Sequence, residues 1–217
     1  MTIFGLGFDK LALFAFAVLL LAATPGPVWV YLISRTLAQG RRAGYFSLLG
    51  VMAGVFFHLC LAAFGLSALL LAVPVAFDAI KLAGAAYLLW LAITTVRGAG
   101  FSFTPEPLEP VPDRVLFRQA LVASVVNPKV AMFYLSLFPQ FVNPAAGSVL
   151  AQSLVLGVVH VTISTLVDGA LVTVAGALAG WFARRPGWLR MQRWFLGTAF
   201  GALAVWLAAT PRHAPAP

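Results

Sequence analysis

The chain is poor in charge. Only 9% of its 217 residues are Asp, Glu, Lys or Arg, against about a quarter in an ordinary soluble domain, while 62% are hydrophobic and the mean hydropathy is +0.98. A soluble core cannot absorb that much apolar surface, so the expected solvent is a lipid bilayer. Cysteine is scarcer still: the single Cys60 excludes an internal disulfide and a dithiol mechanism, and it reads as a small buried apolar residue. Nor is there a nucleophile elbow, an HExxH or a carboxylate pair, which argues against a hydrolytic enzyme. A GxxxxGK[ST] loop is also missing, so ATP would have to be used by another subunit. His58 and Cys60 lie two apart and do not share a helix face, so they make no metal pair, and neither metal nor cofactor is expected. No basic segment is interleaved with aromatics in a soluble module, which removes nucleic acid as a partner.

What the chain has in quantity is long apolar runs. Roughly 20 apolar residues span about 30 Å of hydrocarbon, and six runs approach or exceed that length: Leu11 to Ile33, Tyr45 to Val73, Val75 to Val96, Phe117 to Phe141, Val149 to Ala183 and Trp194 to Ala209. The first continues past signal-peptide length, so it is expected to stay as a span rather than be cleaved. Ten arginines (35, 41, 42, 97, 114, 118, 184, 185, 190 and 193) follow the first, third and fifth runs, whereas only Lys10 and Arg212 fall on the other side. The positive-inside rule then puts the ten in the cytoplasm and both termini outside. The net charge of +8 is a topology signal.

Two runs are broken near their middles, by Thr24-Pro25-Gly26-Pro27 and, 102 positions later, by Val126-Asn127-Pro128-Lys129. Proline removes a backbone donor and clashes one turn back, so each run must unwind and free polar backbone groups. In a membrane that is tolerated where protein or a cavity satisfies those groups, which marks a ligand path. Between runs three and four lies a proline-rich stretch from Ala99 to Asp113 that reads as an extended cytoplasmic linker. The chain therefore divides into a three-helix repeat at 1–98, a linker at 99–116, a second repeat at 117–210 and a disordered tail at 211–217. A shift of 102 carries Asn127-Pro128-Lys129 onto Pro25-Gly26-Pro27 and His160 onto His58. Since three is odd, the halves would lie in opposite orientations. The expected fold is all-α: a polytopic membrane protein with six transmembrane helices as two inverted three-helix repeats.

The candidate site residues follow from the breaks and from the few ionisable groups inside spans. Thr24, Pro25, Gly26 and Pro27 free amides that suit a carboxylate and carbonyls that suit an ammonium or other cation. Asn127, Pro128 and Lys129 sit at comparable depth. A lysine at mid-membrane costs about 2.5–3.5 kcal/mol on insertion scales, so Lys129 either binds an anion, exchanges a proton or snorkels to the interface. Asp168 is the only carboxylate well inside a span and can hold an ammonium, carry a proton or neutralise Lys129. His58 and His160, near the middles of the second and fifth runs, are proton-relay candidates beside a packing role. Asp78 and Lys81 read as an interfacial ion pair. Gly50/Gly54, Gly176/Gly180 and Gly197/Gly201 read as helix-packing pairs. Phe56, Phe57, Phe133 and Tyr134 either shape a pocket or face lipid.

The motifs then carry a resemblance. TPGP at Thr24 to Pro27, GRRAG at Gly40 to Gly44, Gly50-Val-Met-Ala-Gly54 leading to His58, GLSALL at Gly65 to Leu70, KLAGAAYLLWL at Lys81 to Leu91 and NPKVAMFYLSLFPQFV at Asn127 to Val142 resemble the LysE/RhtB family of amino-acid exporters. Within it the chain is most similar to the homoserine and threonine efflux branch. The resemblance covers nearly the whole chain and implies secondary active efflux of an amino acid across the bacterial cytoplasmic membrane, coupled to a proton or ion gradient. The implied partners are the amino-acid substrate, a coupling proton and the bilayer. The number of copies that assemble, a homo-oligomer included, stays open. With one carboxylate deep in the membrane, a neutral amino acid such as threonine, homoserine or leucine is favoured over a dibasic one. The alternative is export of a metal or organic cation.

Overall fold

A computed structural model describes residues 2–72, 109–184 and 186–209, with positions 82, 85–86, 88–90, 92–94 and 96–97 between them, all helical. The Asp78–Lys81 pair, most of the linker and the tail lie outside the described residues. The described chain is mostly helical and opens with a small exception, an antiparallel hairpin of β1 (Thr2–Ile3) and β2 (Leu6–Gly7). Phe4 and Gly5 turn it at positive φ. A side chain on Gly5 would collide with the backbone of Ala146, so the hairpin is seated on the segment that follows the fourth run.

Helix α1 (Phe8–Ala23) stops where Thr24 becomes extended, and α2 (Pro27–Ala72) starts with proline at its first position, where no amide donor is lost. Inside α2, Gly40 has φ 83° and ψ 173°, outside any helical region and accessible at low cost to glycine alone. In a straight helix residues 36 and 44 would stand about 12 Å apart. Instead, a side chain on Gly44 would strike Thr36. Gly40 is therefore a reversal, and α2 is two arms, 27–39 and 41–72.

Helix α3 (Asp113–Val125) begins inside the stretch assigned to the linker and packs along α2. Gly50 and Gly54 make this possible, because side chains there would meet Phe117, Ala120 and Ser124, while the Ser124 hydroxyl donates to Val51 O at 3.0 Å. Gly197 is likewise pressed against Ala92 and Val96, whereas Gly201 faces open space. After the second break come α4 (Pro128–Met132), a π-helical turn at Phe133–Leu137 and a 3-10 turn at Phe138–Phe141. The two halves of this span meet at 47°. Phe14 of α1, fully buried, packs edge-on to Phe138 and Phe141 and tilted to Phe133, so the middle of α1 is locked to the segment after the second break.

Helices α5 (Val149–Arg184) and α6 (Pro186–Ala209) complete the described fold, α6 beginning eight residues before the run read from hydropathy. Among the described residues two stretches, Pro27–Gly65, which includes the reversal at Gly40, and Val149–Ala175, are apolar and long enough for a membrane crossing, and the bent pair around Asn127, counted as one span, brings the number to three. Phe56, Phe57, Phe64, Val158 and Leu166 are exposed on them, as a lipid-facing surface requires. Cys60 is only partly buried.

The end of the first arm is tied down by polar contacts. Arg35, 7% exposed, donates to Glu109 O and to Gln119 Oε1, both at 2.9 Å, and Gln39 donates to Val111 O at 2.9 Å. Arg42 and Asp113 form a surface ion pair at 2.9 Å. Arg35, which the sequence presents only as a topology determinant, thus also clasps the chain leading into α3.

Candidate functional site

A helix end leaves its last carbonyls without intrahelical donors, and at the end of α1 they are taken up by side chains. Thr24 Oγ1 donates to Leu20 O at 2.6 Å, Trp29 Nε1 donates to Ala22 O at 2.9 Å, and Lys129 Nζ donates to Leu21 O at 2.9 Å and to Thr24 O at 2.8 Å. Lys129 comes from the second break, more than a hundred residues away. Two charge-assisted hydrogen bonds at about 1.5–3 kcal/mol each are enough to offset the roughly 2.5–3.5 kcal/mol cost of its charge at this depth. The snorkelling alternative therefore does not describe this side chain. Gly26 lies beside it: a methyl group there would be in ordinary van der Waals contact with Lys129 Nζ, at 3.4 Å.

The second break is closed locally. Asn127 caps α4 by accepting from the Lys129 backbone N–H at 3.0 Å, Pro128 occupies the first helical position, and Val126 N–H returns to Val122 O at 2.9 Å. The π-helical turn that follows carries Phe133 and Tyr134 into the interior, both nearly fully buried.

Between the breaks lies a cavity of about 40 Å³, lined among others by Gly26, Trp29, Asn127, Lys129, His160, Ser164 and Asp168. That is room for a few ordered waters at about 10–15 Å³ each and not for an amino acid. Asp168 is buried and shares this cavity with Lys129, yet the two make no contact ion pair: among the described residues the only one is Arg42–Asp113. His58 and His160 both stack on one ring, Tyr134, with centroids at 5.9 and 5.1 Å and planes within 13° and 10° of parallel. His58 Nε2, Tyr134 Oη and His160 Nδ1 are buried without hydrogen-bond partners.

The structure thus gathers Gly26, Asn127, Lys129, His160 and Asp168 around one cavity, with Thr24 contributing its carbonyl to Lys129. Pro25, Pro27 and Pro128 are not among the cavity's lining residues; Pro27 and Pro128 are exposed and act through the backbone they interrupt. His58 stacks on Tyr134 and does not line the cavity. Phe56 and Phe57 are exposed, and Phe133 and Tyr134 are the buried pair. Trp29 and the placement of Tyr134 were not legible in the sequence. Only the spacing of Trp29, one turn past the first break, offered a signal.

The homoserine/homoserine lactone efflux protein of Salmonella typhi is 33% identical over 198 residues, covering 90% of this chain and 93% of the relative. An uncharacterised membrane protein of Pseudomonas aeruginosa is 33% identical over 185 residues, covering 83% and 86%. The leucine efflux protein of Salmonella typhimurium is 32% identical over 126 residues, covering 56% and 58%. No solved structure matches the chain. The family described as LysE type translocator matches residues 19–210, and with that coverage this membrane protein belongs to the LysE type translocator family.

Proposed function

We propose that the chain is a secondary exporter of a neutral amino acid across the bacterial cytoplasmic membrane, driven by protons, rather than an enzyme. The observation that carries this is the convergence of the two breaks: carbonyls at the end of α1 already hold a primary ammonium, that of Lys129, beside the carboxylate of Asp168. A zwitterionic amino acid needs both kinds of partner. Its ammonium suits the α1 carbonyls. Its carboxylate suits the start of α2, where Val28 and Trp29 line the cavity and helix geometry leaves the first amides without acceptors. Asp168 is the natural carrier of the coupling proton, with His160 on the same cavity and His58 stacked on the same Tyr134 as relay groups. The relatives named for homoserine and leucine efflux support a neutral side chain.

The same reading takes the chain as six spans in two inverted repeats with both termini outside. Support comes from segments related by the shift of 102: Gly26 of the first break lines one cavity with Asn127 and Lys129 of the second, and His58 and His160 stack on one tyrosine. The side assignment is supported by contacts within each predicted side, since the N-terminal hairpin sits on the 144–147 segment and Arg35 and Arg42 grip residues 109–113. For the alternative, a metal cargo, no group of three His, Cys, Asp or Glu converges among the described residues. Efflux from preloaded cells offered a pool of amino acids, with and without a pH gradient, tests the proposal. Gradient-dependent loss of a few neutral amino acids is expected; unchanged pools beside resistance to a metal or quaternary amine would overturn it.

A further inference from the structure

The carbonyl pair Leu21 O and Thr24 O is a site for R–NH3+, and an R–NH3+ that belongs to the protein already fills it. An amino acid's α-ammonium is the same group with the same three donors. Both cannot use the pair at once, and a cavity of about 40 Å³ has no room for a substrate while the lysine is in place. Lys129 forms part of the wall of this cavity and of a second, smaller one beside Met132 and Phe133. The element that carries it is short and bounded on one side by the break and on the other by the π-helical turn, so both ends are irregular backbone. A counter-charge waits within the same cavity, because Asp168 is buried there with no cation in contact among the described residues.

We propose that Lys129 is a built-in competitor and stand-in for the substrate's ammonium. In the empty carrier its ammonium occupies the α1 carbonyls. When an amino acid enters, the substrate ammonium takes the carbonyls and Lys129 withdraws to Asp168. When Asp168 is protonated from outside, the lysine loses that counter-charge, returns to the carbonyls and displaces the substrate. One ammonium is thus always on the α1 end, so the helix end is never left bare and the empty carrier can return. This rests on the exporter reading above and adds to it the order in which two cations share one site.

The experiment uses the purified full chain in proteoliposomes with radiolabelled leucine and homoserine, measured in two modes: net efflux into substrate-free buffer and exchange against the same amino acid outside. For Lys129→Met, exchange is expected to persist, because an incoming amino acid can displace the bound one from the α1 carbonyls as the lysine does in the wild type. The half-saturating concentration for exchange should fall at least fivefold, because the competitor is gone. Net efflux should fall at least tenfold, because the empty carrier cannot return. Loss of exchange together with net efflux, or weaker half-saturation, would make Lys129 an ordinary substrate ligand and overturn the proposal; two unchanged modes would also overturn it. Lys129→Gln, which keeps one donor for a carbonyl, serves if the methionine variant does not fold and should show the same split. Failure of both variants to fold would make Lys129 a structural pin and overturn it too. A wild type that moves no amino acid in either mode would instead remove the exporter reading itself.

Discussion

The two breaks solve the same problem in opposite ways. At Asn127 the interruption is closed by neighbours in sequence: the Asn127 side chain, Ser124 O and Val122 O satisfy the local backbone within a few residues. At Thr24 the neighbours cover only part: the Thr24 hydroxyl takes Leu20 O and the Thr24 N–H reaches Leu21 O at a long 3.4 Å, while Thr24 O and the second, shorter bond to Leu21 O depend on Lys129, lent by the other break. A locally closed break is a hinge that keeps its shape whatever its surroundings do. A break closed by a distant side chain can be opened by moving that side chain, and so it is the one able to trade its partner for a ligand.

Several substitutions would break or sharpen this contrast. The largest effect is expected at the charge that stands opposite the lent lysine: Asp168→Asn should lower both net efflux and exchange by at least about a hundredfold, or roughly 2.7 kcal/mol in rate terms, read in the proteoliposome assay. Retained exchange in that variant would detach Asp168 from the substrate cycle. Next comes Lys129→Met, whose at least tenfold loss should fall on net efflux alone. A smaller, structural effect is expected from Trp29→Phe, which strips the donor from Ala22 O. An unsatisfied buried carbonyl costs about 1–3 kcal/mol, so the detergent-solubilised variant should melt several degrees lower; an unchanged melting temperature would show that the first break does not need this cap. Smallest is Asn127→Ala at the self-sufficient break, where loss of an N-cap costs about 1 kcal/mol. Asn127→Asp, which keeps the acceptor, should restore most of it, and a larger loss with Asp than with Ala would show that the cap is not what Asn127 supplies.

Much of this site is legible in the sequence, for a simple reason. Proline and charge are conspicuous inside apolar runs because each costs energy there, so Thr24 to Pro27, Asn127 to Lys129 and Asp168 stand out before any fold is known. Aromatic residues do not stand out. Trp29 and Tyr134 are as compatible with a lipid face as with a pocket, and Phe56 and Phe57 do face outward while Phe133 and Tyr134 face in. The pairing of the two histidines on Tyr134 was equally hidden, since a helical histidine looks the same whether it meets a tyrosine or a leucine. Arg35 was legible as a charge on one side of the membrane but not as the clasp on residues 109 and 119.

The sequence by itself determined that the chain is a helical membrane protein, where its helices must unwind, and which few ionisable groups are carried into the apolar layer, because those properties depend on composition and on backbone chemistry within a few residues. Only the tertiary structure decided that the two interruptions face each other, that Lys129 spends its charge on the end of α1 and not on Asp168, and that His58 and His160 share one tyrosine. Those outcomes depend on which helix faces converge, and in a chain whose helices are apolar on nearly every face, periodicity carries almost no information about that.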